Sequence, residues 1–422
     1  MKFRIRNMTK VRIICVLCLM NLIFAGCSTD SMDGGAESYS NAISFGEQTG
    51  AVTRADIRGS DAATLLNGNF VVCGVKGSDV FNSPEENIEV FDHYSVNYIQ
   101  NTSGSSITNS SDWEYVGQPL STNPVPNVAA AQIVKYWDPL YSQYAFLAFS
   151  RGNNADVTFS KADMSNIGRN IGDSGAAPVY MIEGPASEIQ KTYISDLVKV
   201  ESPDFGKPVV LKFRRFAAKV RFAMYETIPG YSVKDVMFYT SDDAAEPEST
   251  PCLYTTGNDR LASGNGTVNV YMPNDTTTLL NFTPSSASSS SVQDFAGLTY
   301  YSAQYDEASG TVYVGRTSHS ASYAGINDSV HGNAYVEVLP LSKPMPLTLR
   351  VKYTLVSTDG RGEEIEVGPI TAHVPGEFAE WRPNYAYTYL FKITDEGSGL
   401  YPIILDAVEI NDGVSETEYQ CE

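Results

Sequence analysis

The clearest pattern in the chain is a strict alternation of apolar and polar positions. PLTLRVKYTLVS puts Leu347, Leu349, Val351, Tyr353 and Leu355 on one face of an extended segment and Thr348, Arg350, Lys352 and Thr354 on the other, the period of two that strand side chains follow. YAYTYLFKIT repeats it with Tyr385, Tyr387, Tyr389, Phe391 and Ile393, and AKVRFAMYE with Val220, Phe222 and Met224. A short alternating strand is predicted at Asn41–Phe45, ahead of a Gly/Thr/Gln stretch that leads to Arg54, and another begins at Val209 in VVLKF. Clusters of Gly, Pro, Asn, Asp and Ser separate these runs, and no segment carries a long helical period. The expectation is an all-β chain of antiparallel β-sandwiches.

With 422 residues, two domains of ordinary size are expected, each with its own core. Turn formers in ESPDFGKP, Glu201 to Pro208, mark the boundary, giving domains at 55–206 and 207–422. NTSGSSITNSS from Asn101 and PSSASSSS from Pro284 are expected to be exposed loops.

The N-terminus is patterned differently. MKFRIRNMTKVR is basic without an acid, and the apolar run Ile13–Phe24 ends at Ala25-Gly26-Cys27. This is a secretory signal over residues 1–26, too short to span a bilayer. Small residues directly before Cys27 are similar to a bacterial lipobox, although Phe24 replaces the aliphatic residue usual there. Cys27 is therefore the expected lipidation site, each buried methylene of its acyl chains adding about 0.8 kcal/mol of membrane affinity. Ordinary signal cleavage with an incidental Cys27 is the alternative. From Cys27 to about Tyr39 the chain is small, polar and acidic, a tether.

The net charge of −20 deepens to about −25 once the basic signal is removed, which disfavours nucleic acid and anionic lipid as partners. Beyond Cys15 and Cys18 of the signal and Cys27, only Cys73, Cys252 and Cys421 remain, neither a disulfide framework nor a zinc site.

Gly172-Asp173-Ser174-Gly175 matches the nucleophile segment of chymotrypsin-like proteases, but a serine nucleophile needs a positioned base and an orienting acid. His93, upstream in FDHYS, lacks that family's context. His93, His319, His331 and His373 show no helical metal spacing, and Asp328, His331 and Asn333 read as a solvated turn. No phosphate or dinucleotide fingerprint is present, so neither cofactor nor metal is expected, and the chain reads as a non-enzyme. The 26 tyrosines mostly alternate along strands, as core or cross-strand ladders. The triplets at Asp275 and Asp328 resemble the short O-glycosylation pattern of the Bacteroidetes and carry no weight.

Several segments together resemble the fimbrillins of Bacteroidia, lipoprotein precursors of type V pili. The matching pieces are Cys27, the strand at Ile43–Phe45 followed by Thr53-Arg54-Ala55, VKYWDPLYSQYAFLAFS from Val134, VVLKFRRFAAKVRFAMYE from Val209 and VPGEFAEWRPNYAYTYLFKIT from Val374. They occur in the family's order over nearly the whole chain. The resemblance implies two transthyretin-like β-sandwiches on a lipoprotein exported to the outer membrane and cell surface. It implies a removable pro-segment, 27–54, whose strand belongs to the N-terminal domain until an arginine-specific protease cuts between Arg54 and Ala55; Arg58 is the other arginine in reach.

Loss of that strand would expose unpaired backbone and an apolar floor, a template for a strand from a neighbouring pilin subunit. Such contacts join subunits head to tail into an open filament. The candidate donor is YPIILDAVEI, 401–410, with Ile403, Leu405 and Ala407 on one face and Ile404, Val408 and Ile410 on the other. A plain edge strand of its own domain is the equal alternative. Whether the subunit belongs to the shaft or to a tip that binds a surface ligand stays open. The competing function is a glycan-binding surface lipoprotein of a polysaccharide-uptake system. That reading requires Trp113, Trp137 and Trp381 to be grouped with tyrosines on one exposed face, and needs no cut at Arg54.

Overall fold

The structure, a computed structural model, describes residues 41–46, 59–99, 112–116, 127–154, 156–226, 230–255, 261, 264–273, 278–285, 292–295, 304–306, 311–313, 335–340, 346–357, 359–393, 400–404 and 408–409. A short helix, Gly59–Leu65, precedes the strands. The first half of the chain contributes β1 (Asn69–Gly77), β2 (Ile88–Tyr98), β3 (Trp113–Glu114), β4 (Gln143–Ser150), β5 (Thr158–Phe159), β6 (Tyr180–Pro185), β7 (Tyr193–Ser195), β8 (Val198–Glu201) and β9 (Phe213–Arg215). From the second half come β10 (Ala218–Glu226), β11 (Tyr231–Phe238), β12 (Cys252–Tyr254), β13 (Asn265–Tyr271), β14 (Leu279–Pro284), β15 (Val292–Asp294), β16 (Gln304–Asp306) and β17 (Thr311–Tyr313). β18 (Val336–Val338), β19 (Leu347–Ser357), β20 (Glu364–Val374), β21 (Tyr385–Ile393), β22 (Leu400–Ile404) and β23 (Val408–Glu409) complete the order. The fold is all-β.

The first sheet runs β3-β2-β1-β4-β7-β9, with β8 also on β4. Its centre is the antiparallel pair β1 and β4, from Val71 opposite Phe149 to Gly77 opposite Gln143. Both faces of this pair are buried. Val71, Cys73, Val75, Ala145, Leu147 and Phe149 belong to one core, while Phe70, Val72, Tyr144, Phe146 and Ala148 belong to another. The first core is closed by a second sheet, β14-β13-β6-β5, which supplies Phe159, Tyr180, Ile182, Val268 and Val270. In that sheet β13, from beyond Glu201–Pro208, pairs with β6, from before it. The second core is closed by no regular sheet; irregular segments cover it, including residues 41–46 and Val209.

The later part of the chain forms two further sheets. One runs β18-β10-β21-β22 with β23 also on β21, and the other β11-β19-β12-β15 with β20 on β19. Phe222, Tyr389 and Phe391 pack with Leu349, Val351, Tyr353 and Trp381 in a single cluster. The alternation expected of β19 and β21 is present, since Leu347, Leu349, Val351 and Tyr353 are buried, as are Tyr387, Tyr389, Phe391 and Ile393. Met224 lies among residues whose side chains are not described.

One feature departs from the antiparallel expectation. β10 and β21 are parallel, in register from Lys219 opposite Ala386 to Glu226 opposite Ile393. Parallel neighbours need a long crossover, and here the connection includes the strands of the other C-terminal sheet. The second low-complexity stretch is also corrected at its start, because Pro284 ends β14 opposite Gly266. Among the described residues no helix is long and apolar enough to cross a membrane.

Candidate functional site

Residues 41–46, NAISFG, lie in a groove over the second core. On one side the Ile43 N–H donates to the Lys135 carbonyl at 2.7 Å and the Trp137 N–H donates to the Asn41 carbonyl at 2.9 Å. Ala42 bridges Tyr136, and Phe45 bridges Trp113, both in antiparallel sense. The opposite wall is Val209, whose N–H donates to the Ser44 carbonyl at 2.8 Å and whose carbonyl accepts from the Gly46 N–H at 3.2 Å, a parallel bridge. A strand tied on both sides is an interior strand, although it belongs to no sheet.

All four central side chains are buried, Ala42 and Ser44 as well as Ile43 and Phe45, so the alternation read there does not mark a single buried face. Ile43 is 0 % and Phe45 1 % exposed. The Phe45 ring meets Phe91 at 5.3 Å between centroids, Tyr115 at 5.9 Å, Phe146 at 6.1 Å and Phe70 at 6.2 Å, each edge to face. This geometry sets ring edges against ring faces, and each such pair adds roughly 0.5–1.5 kcal/mol beyond burial. Burial of each large apolar side chain contributes about 1.5–3 kcal/mol more.

The box is built by sequence features on four elements, with Phe146 supplied by β4. β1 supplies Phe70 and also Gly74, where an added Cβ would stand 2.7 Å from Phe146 Cδ1, so the Phe146 ring lies against the bare backbone of β1. β2 supplies Phe91, and the segment after β3 supplies Tyr115. The Tyr115 hydroxyl donates to the Ile43 carbonyl at 2.8 Å and accepts from the Lys135 N–H at 3.2 Å. Burial pushes the phenol far above its ordinary range, so it stays a neutral donor. Gln132 links Ser95 and the Tyr115 carbonyl behind it.

Cys27, Arg54, Ala55 and Arg58 lie outside the described residues, as do Leu405, Ala407 and Ile410. Ile403 and Ile404 pair with Leu390 and Tyr389 in β22, and Val408 pairs with Ala386 in β23, all on β21 of the same chain. β22 stands at the end of its sheet's strand order.

The serine motif is a turn. Ser174 is exposed between Gly172 and Gly175, which have φ of 96° and 79°. His93 occupies a bulge of β2, φ 53°, opposite the register break between Val72 and Gly74. Both of its ring nitrogens are engaged: Nε2 accepts from the Ala162 N–H at 2.8 Å and Nδ1 lies 3.2 Å from Asp92. Burial holds its pKa below the ordinary value. His373 contacts the Thr348 hydroxyl; His319, Asp328, His331 and Asn333 lie outside the described residues. Among the described residues no group of three His, Cys, Asp or Glu side chains is gathered to hold a metal.

Trp113, Trp137 and Trp381 are all buried. Trp113 packs on Phe70 and Tyr98, Trp137 stacks on Phe205 at 4.7 Å, and the Trp381 indole donates to the Tyr389 hydroxyl at 3.1 Å. They form no exposed platform, which disfavours the glycan-binding alternative.

Sequence alternation located Ile43 and Phe45. It missed Tyr115 and Lys135 as groove walls, because they stand in segments without periodicity, and it read Val209 as the start of a strand, whereas Val209 makes only an isolated bridge to Phe45 and β9 begins at Phe213.

No protein-family model matches the chain, and no curated protein matches its sequence. Among solved structures it is similar to a fimbrial protein from Bacteroides vulgatus, with 12 % identity and a TM-score of 0.42 over 87 % of this chain and 99 % of that one. A fimbrial assembly protein from Parabacteroides distasonis has 12 % identity and a TM-score of 0.26 over 79 % of this chain and 85 % of that one.

Proposed function

We propose that this chain is a fimbrillin-type pilus subunit, a structural protein of surface filaments rather than an enzyme, which matures by cleavage between Arg54 and Ala55 and assembles by strand exchange. The observation that carries the reading is the segment 41–46, a strand without a sheet that is bonded on both sides and buried to its side chains. It lies eight residues before Arg54.

The physics of the cut is one of effective concentration. While residues 41–46 belong to the same chain as the groove, their binding is intramolecular, at an effective concentration of order millimolar through a short linker. After cleavage the released piece is an ordinary ligand that dilutes away. The groove then presents unpaired N–H and C=O groups at Lys135, Trp137 and Val209 above an apolar floor, a site for β-strand addition. A neighbouring subunit's strand restores the same bonds, and repetition gives a head-to-tail filament.

On this reading Cys27 anchors the precursor at the outer membrane through its lipid, an arginine-specific protease frees it, and other copies of the subunit are its partners. The division into domains at 55–206 and 207–422 belongs to the same proposal, with the β13–β14 hairpin reaching across to β6. The donor is the run 401–410.

The test is treatment of the lipid-free chain, residues 28–422, with an arginine-specific protease beside an Arg54→Ala control, followed by N-terminal sequencing and electrophoresis without boiling. A terminus at Ala55 with a ladder of stable multimers, absent from the control, is expected. Resistance at both Arg54 and Arg58 would end the reading.

A further inference from the structure

The wall that grips residues 41–46 through Lys135 and Trp137 also carries apolar surface that nothing in the chain covers. Ile133 is 61 %, Tyr136 59 % and Leu140 86 % exposed, three large side chains in one short segment. The other exposed large apolar residues among the described ones, Ile88, Ile171, Ile365 and Phe378, stand singly along the chain. Single exposed residues are ordinary on a protein surface, whereas a grouped set marks a contact.

The group is held in place. Asp138-Pro139-Leu140-Tyr141 is a turn in which the Tyr141 N–H donates to the Asp138 carbonyl at 3.2 Å and the Leu140 N–H to the Asp138 carboxylate at 3.0 Å. That carboxylate also pairs with Lys76 at 2.7 Å, and the Asp138 N–H donates to the Tyr144 hydroxyl at 2.7 Å. Trp137, beside Tyr136, is buried and stacked on Phe205. Turn positions favour Gly, Pro, Asn, Asp and Ser; here a fastened turn presents a leucine to the outside.

The position of this surface says what covers it. The chain enters the groove at Asn41, whose carbonyl accepts from the Trp137 N–H at 2.9 Å and whose side-chain amide donates to the Trp137 carbonyl at 3.3 Å. Asn41 follows Cys27 by fourteen residues. A lipid on Cys27 is therefore at most about 50 Å from Asn41, and a polar tether of that length has a root-mean-square span of about 20 Å. A membrane that holds Cys27 is brought to the side where the chain enters, and on that wall Tyr136 and Leu140 flank the gripping Trp137.

We propose that Ile133, Tyr136 and Leu140 of the anchored precursor rest in the headgroup region of a zwitterionic lipid surface, which turns this wall of the groove toward the membrane. The proposal rests on Cys27 as the anchor in the reading above and adds a second contact to it. Tyrosine suits such a boundary because its ring is apolar and its hydroxyl stays hydrated, and the two aliphatic side chains bury themselves at the acyl boundary. The net charge of −20 opposes an anionic surface, so the lipid is zwitterionic. Docking lays lipid along the wall beside the groove, and cleavage that frees the chain uncovers that wall as well as emptying the groove.

The experiment uses the chain from Cys27 to Glu422 with Cys421→Ser, coupled at Cys27 to a single chain of myristoyl length; Cys73 and Cys252 are buried. One such chain binds vesicles reversibly, at about 10⁴ M⁻¹, so a second contact is measurable. On phosphatidylcholine vesicles that include a photoactivatable phosphatidylcholine, the parent is expected to partition about tenfold more strongly than Ile133→Ser/Tyr136→Ser/Leu140→Ser. The control Ile365→Ser/Phe378→Ser should match the parent, and lipid cross-links should fall in residues 133–141. Replacing about a third of the lipid by phosphatidylglycerol should weaken binding.

Equal partitioning of the parent and the triple variant, or cross-links confined to other segments, would overturn the lipid contact. Binding that requires phosphatidylglycerol would assign it to Lys76 and Lys135 and overturn the apolar docking. Self-association of the parent without vesicles, lost in the triple variant, would give the face to a second copy instead. The anchor itself is checked separately, by the mass of the N-terminal peptide of precursor extracted from membranes. An unmodified Cys27 there ends the anchor, and the docking with it, whatever the vesicles show.

Discussion

The Tyr115 hydroxyl donates to the Ile43 carbonyl at 2.8 Å while it accepts from the Lys135 N–H at 3.2 Å. One oxygen therefore joins the buried segment to the wall beside it. In the uncut chain Tyr115→Phe should cost about 1–3 kcal/mol, because it strands the buried Ile43 carbonyl and leaves the half-buried Lys135 N–H without this partner. Urea unfolding of the precursor checks this, and the loss should shrink once residues up to Arg54 have been removed.

Gly74 lets Phe146 lie on β1, and any Cβ there would press on the ring at 2.7 Å. Gly74→Ala is expected to destabilise the chain by about 1–3 kcal/mol as an overpacked core does. The displaced Phe146 ring also touches Phe45, so the aromatic near-UV circular dichroism should change with it. An unchanged spectrum and an unchanged urea midpoint would show that the ring has room to retreat.

His93 makes stability depend on acidity. Burial lowers its pKa below the ordinary 6.5, and Nε2 is committed as an acceptor to the Ala162 N–H; Asp92, Lys161, Glu89 and the Cys73 thiol are the titratable groups around it. As the pH falls below 6.5, the unfolded chain takes up the proton first. Stability is therefore full above that value and declines as the pH drops through the folded pKa. The difference in urea midpoint between about pH 7 and about pH 5 should be smaller in His93→Gln than in the parent.

The alternation in β19 and β21 made both strands legible, since each buries one face. β4, QYAFLAFS, and β1, NFVVCGVKG, gave no alternation because both faces of their sheet are covered, and a strand buried twice reads as a plain apolar run. The parallel pairing of β10 with β21 was not legible either, because nothing local to Lys219–Glu226 encodes a partner at Ala386–Ile393. The buried segment was visible as Ile43 and Phe45, yet its walls were not. Tyr115 and Val209 act through position rather than pattern, and the His93 bulge shifts register by an irregularity that no residue type in FDHYS announces.

Assembly between acidic copies should respond to salt. The full chain carries −20 and the cut chain from Ala55 onward about −22 by the residues removed, and the Debye length shortens to about 8 Å at physiological ionic strength. Raising salt from roughly 20 to roughly 200 mM should speed the growth of multimers after cleavage, because encounter is opposed by like charge. Light scattering of freshly cut protein follows it, and a rate that falls with salt would point to attractive charge pairs at the contact.

The double bonding of residues 41–46 has a mechanical meaning for any strand that comes to occupy the same position. A strand gripped by Lys135 and Trp137 on one flank and by Val209 on the other can be pulled along its own length only by shearing these bonds together. Force applied in that direction is shared among them and does not open them one after another, as it would on peeling. A filament joined in this way would resist tension along its axis through the rate at which the junction opens rather than through its equilibrium affinity. A joint of modest strength in a test tube can therefore outlast the brief tugs of flowing liquid.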